Sequence, residues 1–243
     1  MPCRALVFLT VLWSTHPLAA DVYSDQSGSY VYDAKMAFLK AGELKLDLDR
    51  WGESYEVQGQ FQTSRALSRY YTWNGVFAAV GKWRPFGGPI TTAYMSRTTS
   101  KDHDLKIVLT YPDTTRVLNG PRDNFETIDR PGGIDLISAL FFSPGCYQGG
   151  RVHDGEDSYQ LVLSSERSHS YNGGRNYYKG EVLSCDYRVV DHKNRKRRVI
   201  VSMAELGDTK VAVQVRAKIP FLPDAVFRLR VPRLNPQIAQ TGP

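Results

Sequence analysis

The sequence predicts a mainly β protein: a single antiparallel curved sheet or a β-barrel of about a dozen strands, wrapped around one or two short helices. Many segments alternate apolar and polar residues with a period of two, which is typical of strands with one buried face. One short segment is apolar on nearly every side and has clear helix boundaries. No linker-like stretch or fixed-length repeat divides the chain, so we expect one domain over residues 21–231.

The first strands carry the clearest pattern. Apolar side chains occupy every second position in three early segments, residues 30–38, 44–48 and 55–61. We expect Ala41 and Gly42 to form the turn between the first two strands. Charged residues and glutamines fill the alternate positions, so the three strands should form an antiparallel meander with one face toward water.

Later segments show the same pattern with one interruption. Residues 64–73 break the alternation and are predicted to form a short helix that ends at Asn74 and Gly75. Further strands are predicted over residues 76–83, 91–97, 105–111, 114–118, 158–165, 167–172, 176–185, 186–190, 199–203, 210–219 and 227–231. Residues 232–243 have no apolar period and are expected to be a disordered tail.

Residues 134–142 form the most distinctive segment, a predicted helix of about three turns. Asp135 is expected to cap the helix by accepting the backbone N–H of Ile137 or Ser138. Pro144 and Gly145 stop the helix. Because apolar residues cover it almost completely, either the strands must wrap around it or a partner must cover it.

The chain begins with the pattern of a secretory signal peptide. Residues 1–20 contain one basic residue, Arg4, then an apolar run from Ala5 to Trp13, and small residues before Asp21. We expect cleavage after Ala20 and export of the mature chain. No later segment approaches the roughly twenty apolar residues that a membrane-spanning helix needs.

Two cysteines remain after removal of the leader, which takes Cys3 with it. An even pair in an oxidising compartment predicts a disulfide between Cys146 and Cys185. Such a bond closes a loop of about 40 residues and is expected to stabilise the fold by about 4 kcal/mol. Two unrelated buried thiols are the alternative.

The charge is mildly basic and mostly dispersed. The formal net charge is +6, and about +5 remains once Arg4 is removed. That balance does not indicate nucleic-acid binding in an exported protein. One basic run, residues 192–198, is either a solvated loop between strands or a contact with anionic lipid or lipopolysaccharide phosphates. The cations concerned are Lys193, Arg195, Lys196, Arg197 and Arg198.

No sequence motif indicates catalysis. The chain contains no nucleophile elbow, zinc-protease helix, phosphate-binding glycine loop or dinucleotide fingerprint. Residues 153–157 carry one histidine and three carboxylates around Gly155, which is either a site for a hard cation or, as we expect, a solvated hairpin turn. Cys146 as a nucleophile is the alternative to its disulfide. The sequence therefore predicts no enzyme, no cofactor and no metal site.

Three of these segments resemble the bacterial envelope family called domain of unknown function 3108. They are the opening strand at residues 30–38 with its Ala41–Gly42–Glu43 turn, the strand at residues 55–61 that leads into residues 67–73, and the helix at residues 134–140. The resemblance spans roughly Tyr30 to Val231. It implies a periplasmic β-rich domain of the curved-sheet or spiral-barrel type, and it implies no established activity.

We therefore expect a non-enzymatic periplasmic protein of the cell envelope that binds an apolar, lipid-like ligand. The alternative is a structural or partner-binding envelope-integrity module with a filled core and no small ligand. An envelope protein is the expected macromolecular partner, and any membrane contact should be peripheral. The candidate pocket residues are Leu136, Ile137, Leu140 and Phe141 on the helix, with Tyr32, Met36 and Phe38 opposite.

Overall fold

A computed structural model describes residues 26–69, 72–84, 88–101, 105–120, 124–207, 209–218 and 223–231. These residues form one continuous sheet of fifteen strands, so the predicted mainly β fold is confirmed. The sheet is open and curved; its two edge strands, β8 and β9, do not pair with each other, and it is not a closed barrel. The predicted signal peptide at residues 1–20 and the predicted tail at residues 232–243 lie outside the described residues.

The first half of the chain forms consecutive antiparallel hairpins. Its strands are β1 (Gln26–Met36), β2 (Leu39–Trp51), β3 (Ser54–Thr63), β4 (Trp73–Arg84), β5 (Gly88–Ser100), β6 (Lys106–Thr110), β7 (Thr114–Asn119) and β8 (Glu126–Asp129).

The second half contains the helix and the remaining strands. These are β9 (Ile134–Asp135), α1 (Leu136–Phe141), β10 (Gly150–His153), β11 (Ser158–Asn172), β12 (Lys179–Val190), β13 (Lys196–Leu206), β14 (Thr209–Lys218) and β15 (Ala225–Leu229). Strand β15 pairs with β1, which joins the two halves. All pairs are antiparallel except β9 with β10.

The first hairpin turns at Ala37 and Phe38, not at Ala41 and Gly42 as the sequence predicted. Ala37 takes the left-handed conformation of the turn, with φ of 52°. Gly42 lies inside β2, where a Cβ would come 2.4 Å from the carbonyl oxygen of Gln62 on β3. The glycine therefore allows close strand approach, a role that sequence alone does not distinguish from a turn.

The predicted helix at residues 64–73 is wrong for the residues that the structure describes there. Residues 65–69 form turns, while Trp73, Asn74 and Gly75 belong to β4. Thr63, at the end of β3, holds the start of β4 beside it. Its Oγ1 donates to the carbonyl of Trp73 at 2.6 Å and accepts the Trp73 N–H at 2.9 Å. Hydrogen bonds between strands thus outweigh a weak local helical pattern.

Helix α1 is shorter than predicted but starts as expected. Asp135 caps it, with Oδ1 accepting the Ser138 N–H at 2.8 Å. Residues Ile134 and Asp135 form β9 instead of a first helical turn, because they pair in parallel with Val152 and His153 of β10. The helix stops at Phe141, before Ser143 and Pro144.

The concave side of the sheet encloses this helix. Phe141 packs edge-on against Tyr32 of β1 at 5.1 Å between ring centroids, and Phe142 lies 5.8 Å from Tyr30. Tyr32 and Phe142 are both 0% exposed. The predicted wrapping of strands around an apolar helix is therefore what the structure shows.

A disulfide joins Cys146, just after the helix, to Cys185 on β12. The predicted pairing is confirmed. Because its sulfur is bonded to Cys185, Cys146 has no free thiol for the nucleophilic role that was the alternative. The bond fastens the end of the helical segment to the sheet that surrounds it.

The β11–β12 hairpin extends over the outer side of the sheet, a feature that the sequence did not indicate. The sequence predicted four short strands here, but β11 and β12 are long and continuous. Tyr177 in the connecting turn donates its hydroxyl to Asp33 of β1 at 2.9 Å. Asp33 faces away from the core because its neighbour Tyr32 faces into it. Strands near the β1–β15 pair are consequently covered on both faces.

None of the helices in the described residues has the length and apolar character needed to cross a membrane.

Candidate functional site

A cavity of about 450 Å³ lies between the β4–β6 region of the sheet and the start of α1. This volume falls within the range of small-molecule pockets. The cavity wall comes from β3, β4, β5, β6, α1, the end of β10 and the turn after it. Its lining residues are Phe61, Trp73, Gly75, Val76, Phe77, Tyr94, Ser96, Thr98, Ser100, Lys106, Val108, Leu136, Ile137, His153, Asp154 and Glu156.

One side of the pocket is apolar. Trp73 and Phe77 of β4 face it from the sheet, and Leu136 and Ile137 face it from the helix. Phe77 sits directly opposite Gly59 of β3. A Cβ at Gly59 would come 2.0 Å from the Phe77 ring, so the missing side chain gives that ring its position in the wall.

A series of aromatic contacts runs from this wall into the core. Trp73 packs against Phe61 at 4.6 Å, and Phe61 lies 6.3 Å from Phe227 of β15. Phe227 in turn lies 6.3 Å from Phe141, which contacts Tyr32. The pocket is therefore an extension of the hydrophobic core that remains open at one end.

Polar side chains lie beside the apolar wall. Ser96, Thr98 and Ser100 of β5 line the pocket on the same face of the sheet, directly paired with Phe77, Gly75 and Trp73 of β4. Lys106 of β6 forms an ion pair with Glu156 in the turn after β10. The side chains of this pair are 28% and 32% exposed, so the pair is at the rim of the cavity. An apolar surface bordered by polar and charged side chains suits an amphiphilic molecule.

His153 lies in the pocket wall and is 0% exposed. Its Nδ1 accepts the backbone N–H of Gly155 at 3.1 Å, so the neutral ring carries its proton on Nε2. Nε2 is buried and has no hydrogen-bond partner among the described residues. Burial lowers the pKa of His153, opposed by the carboxylates of Asp135 and Asp154, so the neutral ring is favoured.

Asp135 connects the helix, the sheet and the pocket wall. Besides capping α1, it accepts the Thr91 hydroxyl at 2.6 Å and the Tyr55 hydroxyl at 3.4 Å on Oδ2. Its own N–H donates to Thr91 Oγ1 at 2.8 Å. Burial, followed by the charge of Asp135, raises the pKa of Tyr55 and of Tyr94. This network fixes β9 against β5 and holds the start of α1 at the cavity.

Residues 154–157 connect β10 to β11 as a turn, as predicted, but the turn is not fully solvated, because His153 belongs to β10 and both it and Gly155 are buried. Asp154 Oδ1 accepts the N–H groups of Glu156 and Asp157 at 3.1 and 2.9 Å, and Oδ2 accepts the Tyr159 hydroxyl at 2.8 Å. Gly155 has φ of 100°, and a Cβ there would lie 2.6 Å from the Tyr94 ring. The described residues contain no group of three or more His, Cys, Asp or Glu side chains placed to hold a metal ion.

The structure places the predicted pocket residues in four different environments. Leu136 and Ile137 line the cavity. Leu140, Phe141 and Tyr32 are packed in the core, with 6%, 3% and 0% exposure. Met36 is half-buried near the end of β1. Phe38 is 91% exposed, because it lies in the turn of the β1–β2 hairpin and not on the inward-facing side of β1.

The predicted basic run at residues 192–198 is a loop only in part. Residues 191–195 join β12 to β13, whereas Lys196, Arg197 and Arg198 belong to β13 itself, because they pair with β12. Arg195 pairs with Asp191, with Nε and Oδ2 2.6 Å apart, and Arg198 forms a bidentate contact with Asp186. Lys193, Lys196 and Arg197 are exposed and have no ion pair within the described part of the chain. Two of the five predicted cations are therefore already matched by a carboxylate.

Sequence reasoning missed most of the pocket wall. Trp73 was assigned to a helix and Lys106 to a strand. His153 and Glu156 were weighed only as part of a cation site or a solvated turn, not as part of a pocket. The two-residue step through Trp73, Gly75 and Phe77 was a usable signal for one face of β4. That this face meets the turn after β10 depends on the curvature of the sheet.

Comparisons of the chain with protein-family models, with curated proteins and with solved structures found no match.

Proposed function

We propose that this protein is exported to the periplasm and binds one amphiphilic, lipid-like molecule in the pocket beside α1. The apolar part of the ligand lies against Trp73, Phe77, Leu136 and Ile137, and its polar end lies at the rim near Lys106 and Glu156. The observation that supports this proposal is the aromatic-lined cavity with one charged rim. Export rests on the leader pattern of residues 1–20.

The proposal also agrees with the resemblance to the envelope family named above. The ligand is held without chemical change: no motif in the sequence indicates catalysis, and the apolar wall offers contact area to a hydrocarbon chain. Burial of apolar ligand surface supplies the affinity, at roughly 25 cal/mol per Å².

The test compares two tryptophan substitutions. Ile137→Trp fills the cavity from the helix side, whereas Val162→Trp adds the same side chain at an exposed position of β11, away from the pocket. We expect the wild-type protein and Val162→Trp to bind a fluorescent single-chain fatty acid alike. Ile137→Trp should bind it at least about tenfold more weakly, a loss of about 1.4 kcal/mol.

Native mass spectrometry of protein purified gently from periplasm provides the second readout. A bound mass that organic extraction identifies as lipid is the expected result. A bare mass, together with no binding of the fatty-acid probe or equal binding by both variants, would overturn the proposal.

A filled-core module that binds an envelope protein is the second candidate function. It is favoured by one observation: Leu140 and Phe141, where the sequence placed a pocket, are instead tightly buried. If this protein purifies without lipid but together with one defined envelope protein, that result would support this candidate over the first.

A further inference from the structure

A row of like charges crosses three adjacent strands on the outer face of the sheet. Arg188 of β12 is directly opposite Arg198 of β13, and Arg198 is directly opposite Lys218 of β14. The adjacent residues Tyr187 and Val199 belong to the core, so Arg188 and Arg198 project outward. All three cations are exposed.

This arrangement is unfavourable for folding unless something compensates for it. Like charges placed directly opposite one another in a sheet repel and destabilise the pair. Asp186 contacts Arg198 alone. Across the described residues, no carboxylate forms an ion pair with Arg188, Lys196, Arg197 or Lys218. The row therefore carries an excess of positive charge that an external anion can offset.

The shape of the row indicates what kind of anion fits. Neighbouring strands are roughly 5 Å apart, so the row spans roughly 10 Å. One phosphate can bridge two neighbouring cations, but it does not extend along the whole row. A plane of many headgroups can contact every cation of the row together, and each basic residue near such a surface adds a comparable increment of binding.

We propose that this basic strip, defined as Arg188, Lys196, Arg198 and Lys218, docks the protein on an anionic phospholipid bilayer. The strip extends the basic run that is visible in the sequence by adding Arg188 and Lys218, which only strand register brings beside it. The docking does not depend on the pocket containing a ligand.

The strip is close to the pocket. His192, in the loop that leads to the strip, lies 3.9 Å from Asp157, measured from Nδ1 to Oδ1. Asp157 belongs to the same turn as Glu156, which lines the pocket rim. Docking through the strip therefore brings the pocket rim near the membrane surface.

The experiment measures co-sedimentation of the protein with vesicles at low ionic strength. One set is pure phosphatidylcholine, and the other contains about one third phosphatidylglycerol. Binding to the anionic set and its loss at high salt are expected. Equal binding to the neutral set, or displacement of the protein by millimolar inorganic phosphate, would overturn the proposal.

A triple variant tests the residues themselves. Arg188→Gln, Lys196→Gln and Lys218→Gln together should weaken binding to the anionic vesicles roughly a hundredfold, at about fivefold for each charge. Removing three exposed cations elsewhere, by Lys82→Gln, Arg84→Gln and Lys101→Gln, lowers net charge equally and should change binding by less than about fivefold. Equal losses in the two triple variants would show that only net charge acts, and would refute the strip.

Circular dichroism and urea unfolding check that the triple variant is folded. Since it removes repulsion between facing cations, it should be at least as stable as the wild-type protein. Fatty-acid binding by the same variant separates the two proposals: unchanged probe affinity with lost vesicle binding is the expected pattern.

Discussion

His153 lines the pocket and also affects the stability of the fold. The ring is fully buried, its Nδ1 is occupied by Gly155, and Asp135, Asp154, Arg130 and Tyr94 surround it. Burial is the largest influence and favours the neutral form. The histidine is thus a structural group that protonation would disturb.

We predict that the protein loses stability as the pH falls below the usual histidine pKa of about 6.5. The unfolded chain then binds a proton at His153 that the folded chain, with its lowered pKa, does not, so acid favours unfolding. Urea midpoints measured at about pH 7.5 and about pH 5 should differ less in His153→Gln than in the wild-type protein. His192→Gln, a change at an exposed histidine, should retain the wild-type difference, and an unchanged difference in His153→Gln would contradict the prediction.

At the level of elements, β3 and β4 show how a missing side chain positions a ring of the pocket wall. Gly59 leaves the space that the Phe77 ring occupies across the strand pair. From the sequence alone, Gly59 appears only as a residue that disfavours a strand, because glycine has a low strand propensity. Only the pairing of β3 with β4 shows what the glycine accommodates.

We predict that Gly59→Ala destabilises the protein by about 1–3 kcal/mol, since the Phe77 ring must move from its position. In a Phe77→Leu background the same change should cost much less, because the shorter side chain leaves room for the new Cβ. Urea unfolding of the two single variants and the double variant measures the coupling. Gly145→Ala, where a Cβ would meet nothing within 4 Å, is the matched control and should change stability by less than about 0.5 kcal/mol. Additive effects in the double variant would exclude the proposed collision.

Helix α1 illustrates the limit of local signals at the same scale. Asp135, Pro144 and Gly145 predicted its start and its end from capping chemistry. Its first two expected residues became β9 because β10 offered backbone hydrogen bonds to Ile134 and Asp135. A cap can be recognised locally, whereas a pairing partner from another part of the chain cannot.

Across the whole molecule, the β1–β15 pair holds the two halves of the sheet together. Asp33 of β1 forms ion pairs with Arg230, which follows β15, and with Lys40, at 2.9 Å for the latter. It also accepts a hydrogen bond from the hydroxyl of Tyr177, in the turn of the β11–β12 hairpin. Although burial opposes ionisation, the hydrogen bonds from Arg230, Lys40 and Tyr177 together hold the pKa of Asp33 well below its usual range.

We predict that Asp33→Asn destabilises the protein at neutral pH by about 1–3 kcal/mol, because Arg230 and Lys40 lose a charged partner. A lowered carboxyl pKa contributes stability above its unfolded value of about 3.9, and that contribution is lost as the pH falls toward the folded pKa. The difference between wild-type and variant urea midpoints should therefore shrink below about pH 4. Glu205→Gln, which alters the exposed pair with Lys210, should have little effect at any pH. An Asp33→Asn difference that persists undiminished in acid would contradict this account.

The sequence by itself determined the mainly β class, the faces of many strands, the cap at Asp135 and the Cys146–Cys185 pair. These features depend on backbone periodicity, local capping and residue chemistry, which can be recognised without knowing the partners of a segment. The tertiary structure alone decided that the sheet stays open, that β9 runs parallel to β10, and that the β11–β12 hairpin covers the outer face. It also decided where the pocket and the basic strip lie, because both unite residues that are distant in the chain and meet only through strand register and sheet curvature.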